Sequence, residues 1–365
     1  MISSEKFISF LRKKIDFYTG VPDSTLKTLT NPLEKLNKKR HIIATNEGSA
    51  ISLAIGYYLA KQKIAAVYLQ NSGLGNAINP LVSLANSRVY SIPMLLLIGW
   101  RGSPNSSDEP QHIEQGQITL KLLKLLKIKT IIIKNDQDLK KIDKLINYSK
   151  IKKVPVACLI ERNILKSKKK IKIRKNKNTL LRSYVISNIL KEINKNTKII
   201  STTGYTSREL YQIRKQYNHK KGKDFYMVGG MGHSSMVSLG IALNNNKEVL
   251  CLDGDGSLLM HLGGMGLAGN FGPKNFKHIL LNNNSHESVG CQPTTANQIN
   301  FKNLSLSLGY KRFFETKSKK NFAKELKKFL KSKGPSFFEI KIKNQKIDNL
   351  IRPKKLKNIM EHFIK

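Results

Sequence analysis

Two short apolar runs, each ending in a turn that carries oxygen ligands, set most of what this chain can fold into. The first stops at Gly254-Asp255-Gly256, after which Ser257 is expected to open a helix; the second, Lys277–Asn282, stops at Asn282-Asn283. Two strands joined through a helix lie parallel in one sheet. In an open parallel sheet, ligands gather beyond the carboxyl ends of the strands. Asp255 would bring a carboxylate to that edge and Asn283, 28 positions on, an amide oxygen. Such hard donors suit Mg2+, which wants octahedral oxygen at about 2.0–2.1 Å and is commonly shared with phosphates. Gly254 and Gly256 let the backbone approach a diphosphate. A helix opening near Ser257 adds free N–H groups for the anion.

The rest of the chain repeats the rhythm of strand and helix, which implies an α/β fold with parallel sheets covered on both faces. In the first half, 41–46, 64–70, 94–99, 130–134 and 154–161 read as strands, with helices over 47–60, 74–86 and 118–126. In the second half, strands are expected at 198–203, 248–253, 277–282, 313–316 and 336–342, and helices at 180–193, 207–215 and 319–330. Between the halves, 164–178 is Lys-rich with no apolar period and reads as a solvated linker. The expected domains are therefore 1–163 and 179–365, both doubly wound, with no third domain between them.

No apolar run approaches the ~20 residues of a membrane span, and the N-terminus lacks an apolar signal core. A cytoplasmic protein is expected. The three cysteines, Cys158, Cys251 and Cys291, are scattered and form no CxxC, which argues against a disulfide framework or a structural zinc site. The net charge of +41 raises the question of nucleic acid. Yet only 11 of the 65 basic residues are Arg, and the Lys-rich stretches lack aromatic residues. Readers of bases and phosphates lean on Arg forks and stacking rings, so biased composition is the better account.

The Gly254–Gly256 and Asn282–Asn283 turns resemble the fingerprint of the thiamine-diphosphate-dependent enzymes, GDG followed some 25–30 residues later by NN. Within that family, Gly20–Lys27 (GVPDSTLK) and Gln70–Leu84 (QNSGLGNAINPLVSL) resemble the phosphonopyruvate and sulfopyruvate decarboxylases. Gly99–His112 (GWRGSPNSSDEPQH) and Asn282–Thr294 (NNNSHESVGCQPT) resemble the phosphonopyruvate decarboxylases in particular. Two residues depart from the usual pattern, Asn284 and Cys291, where the family commonly has Gly. The two-domain length leaves no place for the middle domain of larger relatives, nor for FAD.

The resemblance implies thiamine diphosphate and Mg2+ as cofactors, with Asp255 and Asn283 as metal ligands and Ser285 adding its backbone carbonyl. It implies that Glu47, where a strand meets a helix of small residues, activates the cofactor through its pyrimidine N1′. A favourable charge in a first helical turn would look the same. Gly229 would present its carbonyl to the aminopyrimidine and Met231 would wedge beneath the bent cofactor, although a core Met at a helix start reads alike. His112 and His286 are candidate proton shuttles or anion partners. Ser24, Thr25 and Arg101 are candidate donors to a substrate anion, with Arg101 forking onto two of its oxygens. Asp23 is expected to hold a nearby donor or to help protonate the product. His41, His219, His278 and His362 carry no such context. The implied reaction is decarboxylation of a small anionic 2-oxo acid, 3-phosphonopyruvate, with sulfopyruvate or another 2-oxo acid as the alternative. The implied active unit is a homodimer or larger homo-oligomer with sites at its interfaces.

Overall fold

The computed structural model describes residues 1–104, 106–167, 176–216, 222–345, 347 and 349–365. It divides into two compact units, Met1–Lys172 and Ile173–Lys365.

In the first unit the strands are β1 (Tyr18–Gly20), β2 (His41–Ile43), β3 (Ala65–Gln70), β4 (Met94–Trp100), β5 (Lys129–Ile133) and β6 (Pro155–Glu161). They form one parallel sheet in the order β2-β1-β3-β4-β6-β5. Around them run α1 (Ser4–Arg12), α2 (Lys27–Leu33), α3 (Glu47–Lys61), α4 (Leu74–Pro80), α5 (Pro110–Leu125) and α6 (Asp138–Lys152). All seven residues of β4 are buried. A strand covered on both faces must be apolar throughout, and MLLLIGW is. Alternate residues feed separate cores: Ala66, Tyr68, Leu95 and Leu97 on one face, Ala65, Val67, Leu69, Leu96 and Ile98 on the other.

The second unit contains β7 (Lys198–Ser201), β8 (Lys223–Tyr226), β9 (Val249–Gly254), β10 (Phe276–Asn282), β11 (Arg312–Thr316) and β12 (Ser336–Lys341). Its parallel sheet runs β8-β7-β9-β10-β12-β11. The order is that of the first unit: second, first, third, fourth, sixth, fifth. Its helices are α7 (Arg182–Glu192), α8 (Tyr205–Gln216), α9 (Ser234–Leu243), α10 (Asp255–Met260), α11 (Gly263–Phe271), α12 (Phe301–Ser307), α13 (Lys319–Lys331) and α14 (Leu356–Ile364). In each sheet the chain reverses direction between the first and third strands. That is the switch point at which ligands of doubly wound folds bind.

Several expectations need correction. The helix expected at 118–126 begins at Pro110, which takes the first helical position where its missing N–H costs nothing. His112 therefore lies in a first turn. The helix expected over 74–86 is α-helical only to Pro80 and continues as a π-turn, Leu81–Ala85. The helix after Gly254 opens at Asp255, two residues before Ser257. Strands β1 and β8, too short or too polar for a clear period, were not expected, nor were α1, α2, α6, α9, α11, α12 and α14. The flanks of the expected linker are anchored: Leu165–Lys166 pairs with Ile2–Ser3, and Asn176 and Asn178 each donate to the Ile342 carbonyl at 3.0 Å. Residues 168–175 of that stretch, and His219, lie outside the described residues.

Candidate active site

In the first unit, the predicted residues gather at the carboxyl ends of β1 to β4. Glu47 opens α3, capped by Asn46, whose Oδ1 accepts from the Ser49 N–H at 2.8 Å. Its carboxylate is buried at 5% exposure. Burial pushes its pKa up, opposed by the Asn76 amide, which donates to Oε2 at 2.8 Å. Beside it, a Cβ on Gly73 would fall 2.2 Å from Glu47 Oε1, and one on Gly48 would fall 2.9 Å from the Asn76 carbonyl. Gly48, Ser49, Ser52, Gly56, Asn76 and Pro80 help line a groove of about 910 Å3 along α3 and α4.

Asp23 is 2% exposed and follows β1. Its Oδ2 accepts from the N–H groups of Thr25 and Leu26 at 2.8 and 3.1 Å. Burial raises its pKa, with Arg101 acting against the rise. Gly99 is required here, since a Cβ would reach within 2.3 Å of Asp23 Oδ2. Thr25 is buried beside it, its hydroxyl also acting against the rise in the Asp23 pKa.

Arg101 does not present an open fork. Its Nε and Nη2 both go to Asp108, the former at 2.6 Å, and only Nη1 reaches Ser24 Oγ, at 3.0 Å. Both side chains of the pair are buried. Burial alone would raise the pKa of Asp108, but the Arg101 fork outweighs it and holds the carboxyl low. The expectation that Arg101 grips two substrate oxygens is corrected accordingly: that face is already matched by an internal carboxylate. His112 stands on the same loop-to-helix junction. Gly102, at φ +66°, passes so close that a Cβ would overlap the His112 carbonyl at 1.8 Å. Trp100 Nε1 donates to the Gly116 carbonyl at 3.0 Å, and Asn71 bonds Arg101 in both directions, at 3.0 and 2.9 Å.

The second unit gathers the other predicted residues at the ends of β7 to β10. Asp255 is 2% exposed. It accepts from the Thr294 hydroxyl. Burial lifts its pKa to about 6, against that hydroxyl and the N–H groups of Asn283 and Ser285. Asn283 and Ser285 are buried; Asn283 Oδ1 accepts the Ser285 N–H at 3.1 Å. Ser257 Oγ accepts from Thr202 Oγ1 at 2.8 Å and from the Gly232 N–H at 3.1 Å, tying three strand ends together. Gly229 and Met231 lie on the segment between β8 and α9, where Gly230 and Gly232 have φ of +62° and +91°. A Cβ on Gly256 would fall 2.8 Å from His286 Nδ1 and 3.5 Å from Met231 Cε. His286 and Met231 thus flank the second glycine of the turn. Burial lowers the His286 pKa to about 4.

Asn284 and Cys291, the two departures from glycine, sit at φ +56° and +63°. Both keep the left-handed backbone that glycine would adopt freely. Of the remaining histidines, His41 is buried against the Tyr68 hydroxyl at 2.9 Å, His278 is buried against the Tyr310 hydroxyl at 2.8 Å, and His362 is exposed.

Models of the thiamine pyrophosphate enzymes match in both units: the N-terminal TPP binding domain over residues 2–125 and the C-terminal TPP binding domain over residues 202–340. A phosphonopyruvate decarboxylase of Streptomyces viridochromogenes is 31% identical over 352 residues, covering 92% of this chain and 87% of that protein. This chain belongs to the phosphonopyruvate decarboxylase family. A second phosphonopyruvate decarboxylase, from Streptomyces hygroscopicus, is 30% identical over 92% of this chain and 86% of its own length. A sulfopyruvate decarboxylase of Methanosarcina acetivorans is 27% identical, covering 93% and 91%.

Sequence reasoning missed several residues that shape this family member's two residue sets. Gly73 and Asn76 flank Glu47, Asp108 holds Arg101, and Thr294 holds Asp255. All four lie inside segments that carried the family resemblance, which is the signal that marks them. Among the described residues no helix is long and apolar enough to cross a membrane.

Proposed function

We propose that this chain is a cytoplasmic decarboxylase that converts 3-phosphonopyruvate to phosphonoacetaldehyde and CO2, using thiamine diphosphate and Mg2+. The reading is carried by the near-full-length likeness to two phosphonopyruvate decarboxylases. When bound, thiamine diphosphate supplies a nucleophilic thiazolium carbon and an electron sink for the departing carboxylate.

The residues present suit those cofactors. Asp255 is a buried carboxylate that, among the described residues, meets a hydroxyl and backbone N–H groups. With Asn283 and the Ser285 carbonyl it offers hard oxygen donors of the kind Mg2+ takes. Gly254, Gly256 and Ser257 would cradle the diphosphate, Gly229 would receive the aminopyrimidine and Met231 would support the bent form. Glu47 is a buried carboxyl that accepts from the Asn76 amide. Its role is to exchange a proton with the pyrimidine N1′ when the cofactor is activated. Asp23, a second buried carboxyl, is placed to hold or deliver the proton that the product takes up, with His112 and His286 as partners to the substrate, His286 held neutral by its burial. Ser24, Thr25 and the Nη1 side of Arg101 supply donors to the phosphonate. The active unit is a homo-oligomer that brings the Glu47 set of one copy to the Asp255 set of another.

The test is to compare kcat/KM for phosphonopyruvate, sulfopyruvate and pyruvate with thiamine diphosphate and Mg2+ present. Phosphonopyruvate is expected to lead. A lead for sulfopyruvate, the substrate named in the full-length relative from Methanosarcina, would overturn the substrate and keep the chemistry. Equal use of pyruvate would overturn the anion-recognition argument.

A further inference from the structure

The loop leaving β10 is held from behind by a buried charge cluster to which the proposed reaction gives no part. Arg182, the first residue of α7, is 3% exposed and faces two carboxylates. Its Nη1 lies 3.2 Å from Glu209 Oε1 on α8, and its Nη2 bonds Glu287 Oε2. The other oxygen of Glu287 accepts the Gln345 N–H at 2.6 Å. The same loop is pinned at two further points. Asn282 Nδ2 donates to Glu339 Oε1 at 2.7 Å. The Asn283 carbonyl accepts from Asn344 and Asn176 at 3.1 and 3.3 Å. On the other flank of Glu287, the His286 ring rests against Gly256.

We propose that Arg182 and Glu287 are a positioning pair that fixes the Asn283–His286 loop for divalent-cation binding. A buried ion pair is poor value as a stabiliser, because desolvation offsets its attraction. What it does provide is a fixed direction: one Glu287 oxygen bonded to Nη2 of a guanidinium that Glu209 holds by Nη1, and the other bonded to backbone, leave Glu287 little freedom to turn. Glu287 is two residues from Ser285 and next to His286, so turning its backbone would carry both out of place. Groups behind metal ligands that orient them in this way typically govern affinity by about 10–100-fold. Glu209 shares the same guanidinium and the same depth of side-chain burial but belongs to α8, so its substitution leaves the loop's own backbone and bonds in place. The inference rests on the reading that Asp255, Asn283 and Ser285 hold the cation.

The experiment titrates Mn2+, in the presence of thiamine diphosphate, into the metal-free full chain by calorimetry. Wild type is compared with Glu287→Gln, Glu209→Gln and Asn283→Ala, and each variant's melting temperature is recorded. Glu287→Gln is expected to weaken Mn2+ by about tenfold or more, and Glu209→Gln to leave it within about twofold. A purely structural cluster would make the two amides act alike, so equal effects overturn the proposal. If Asn283→Ala weakens Mn2+ while Glu287→Gln does not, the positioning role fails and the cation site stands. If Asn283→Ala changes nothing, the cation site itself is wrong. Should Glu287→Gln not fold, Arg182→Lys, which keeps the charge and loses the fork, decides by the same measure.

Discussion

Gly73 and Glu47 are fitted so closely that any side chain at position 73 would occupy the space of the Glu47 carboxylate, 2.2 Å from Oε1. The glycine is there for the acid rather than for its own backbone. Gly73→Ala should therefore fold but displace the carboxylate, and a shift of about 1 Å can cost on the order of a hundredfold in rate. Exchange of the cofactor's C2 proton with deuterium reads this directly. An exchange rate equal to wild type would show that Glu47 is not the activating acid.

Glu47→Gln keeps the shape and the Asn76 contact but removes the exchangeable acid. Cofactor binding should persist while exchange and turnover fall by about 10²–10⁴-fold, the usual worth of a positioned proton-transfer group. Retained turnover would move the role to another residue.

Asp255→Ala removes the charged member of the proposed cation shell. Binding of thiamine diphosphate with Mg2+ should weaken by at least the roughly 10–100-fold that losing a group behind a metal ligand costs, measured by titration into the metal-free protein. Wild-type affinity would remove Asp255 from the site.

Arg101→Met should act chiefly on stability. It strands the buried Asp108 carboxylate, and breaking such a pair costs about 3–5 kcal/mol. His112→Ala should leave the fold largely intact and reduce the preference for phosphonopyruvate over pyruvate by roughly tenfold. Melting curves and kcat/KM ratios on both variants separate the two roles. A melting temperature unchanged in Arg101→Met would contradict the pairing with Asp108.

Glu209 gives the protein a pH-dependent stability. Burial raises its pKa to about 7, against the pull of Arg182. A carboxyl raised by folding contributes stability that is full below its unfolded pKa, near 4.5, and is lost as pH rises through about 7. Glu209→Gln should abolish that loss, gaining on the order of 1–3 kcal/mol above pH 7. Denaturant titrations at pH 5 and pH 8 check it: the variant's advantage should appear only at the higher pH.

Much of the fold was legible because buried parallel strands are apolar along their length, as Met94–Trp100 is. Asp255 and Asn283 were legible because metal chemistry restricts the residue types at strand ends. Tyr18–Gly20 and Lys223–Tyr226 escaped, one being three residues long and the other a polar strand at the sheet edge. Arg182, Glu209 and Glu287 escaped for a different reason. Their partnership spans 105 positions, and no local pattern records a contact that only the fold creates. Arg101 was noticed but misdirected, because an Arg able to fork onto a phosphonate is equally able to fork onto Asp108, seven residues away.

Asn284 and Cys291 hold left-handed backbone without being glycine. Outside glycine this conformation costs roughly 1–2 kcal/mol per residue, less for Asn. What the loop imposes is thus a dihedral angle, and residue identity is only its usual proxy. A search template written in letters, demanding glycine at both places, would pass over this chain; one written in torsions would find it.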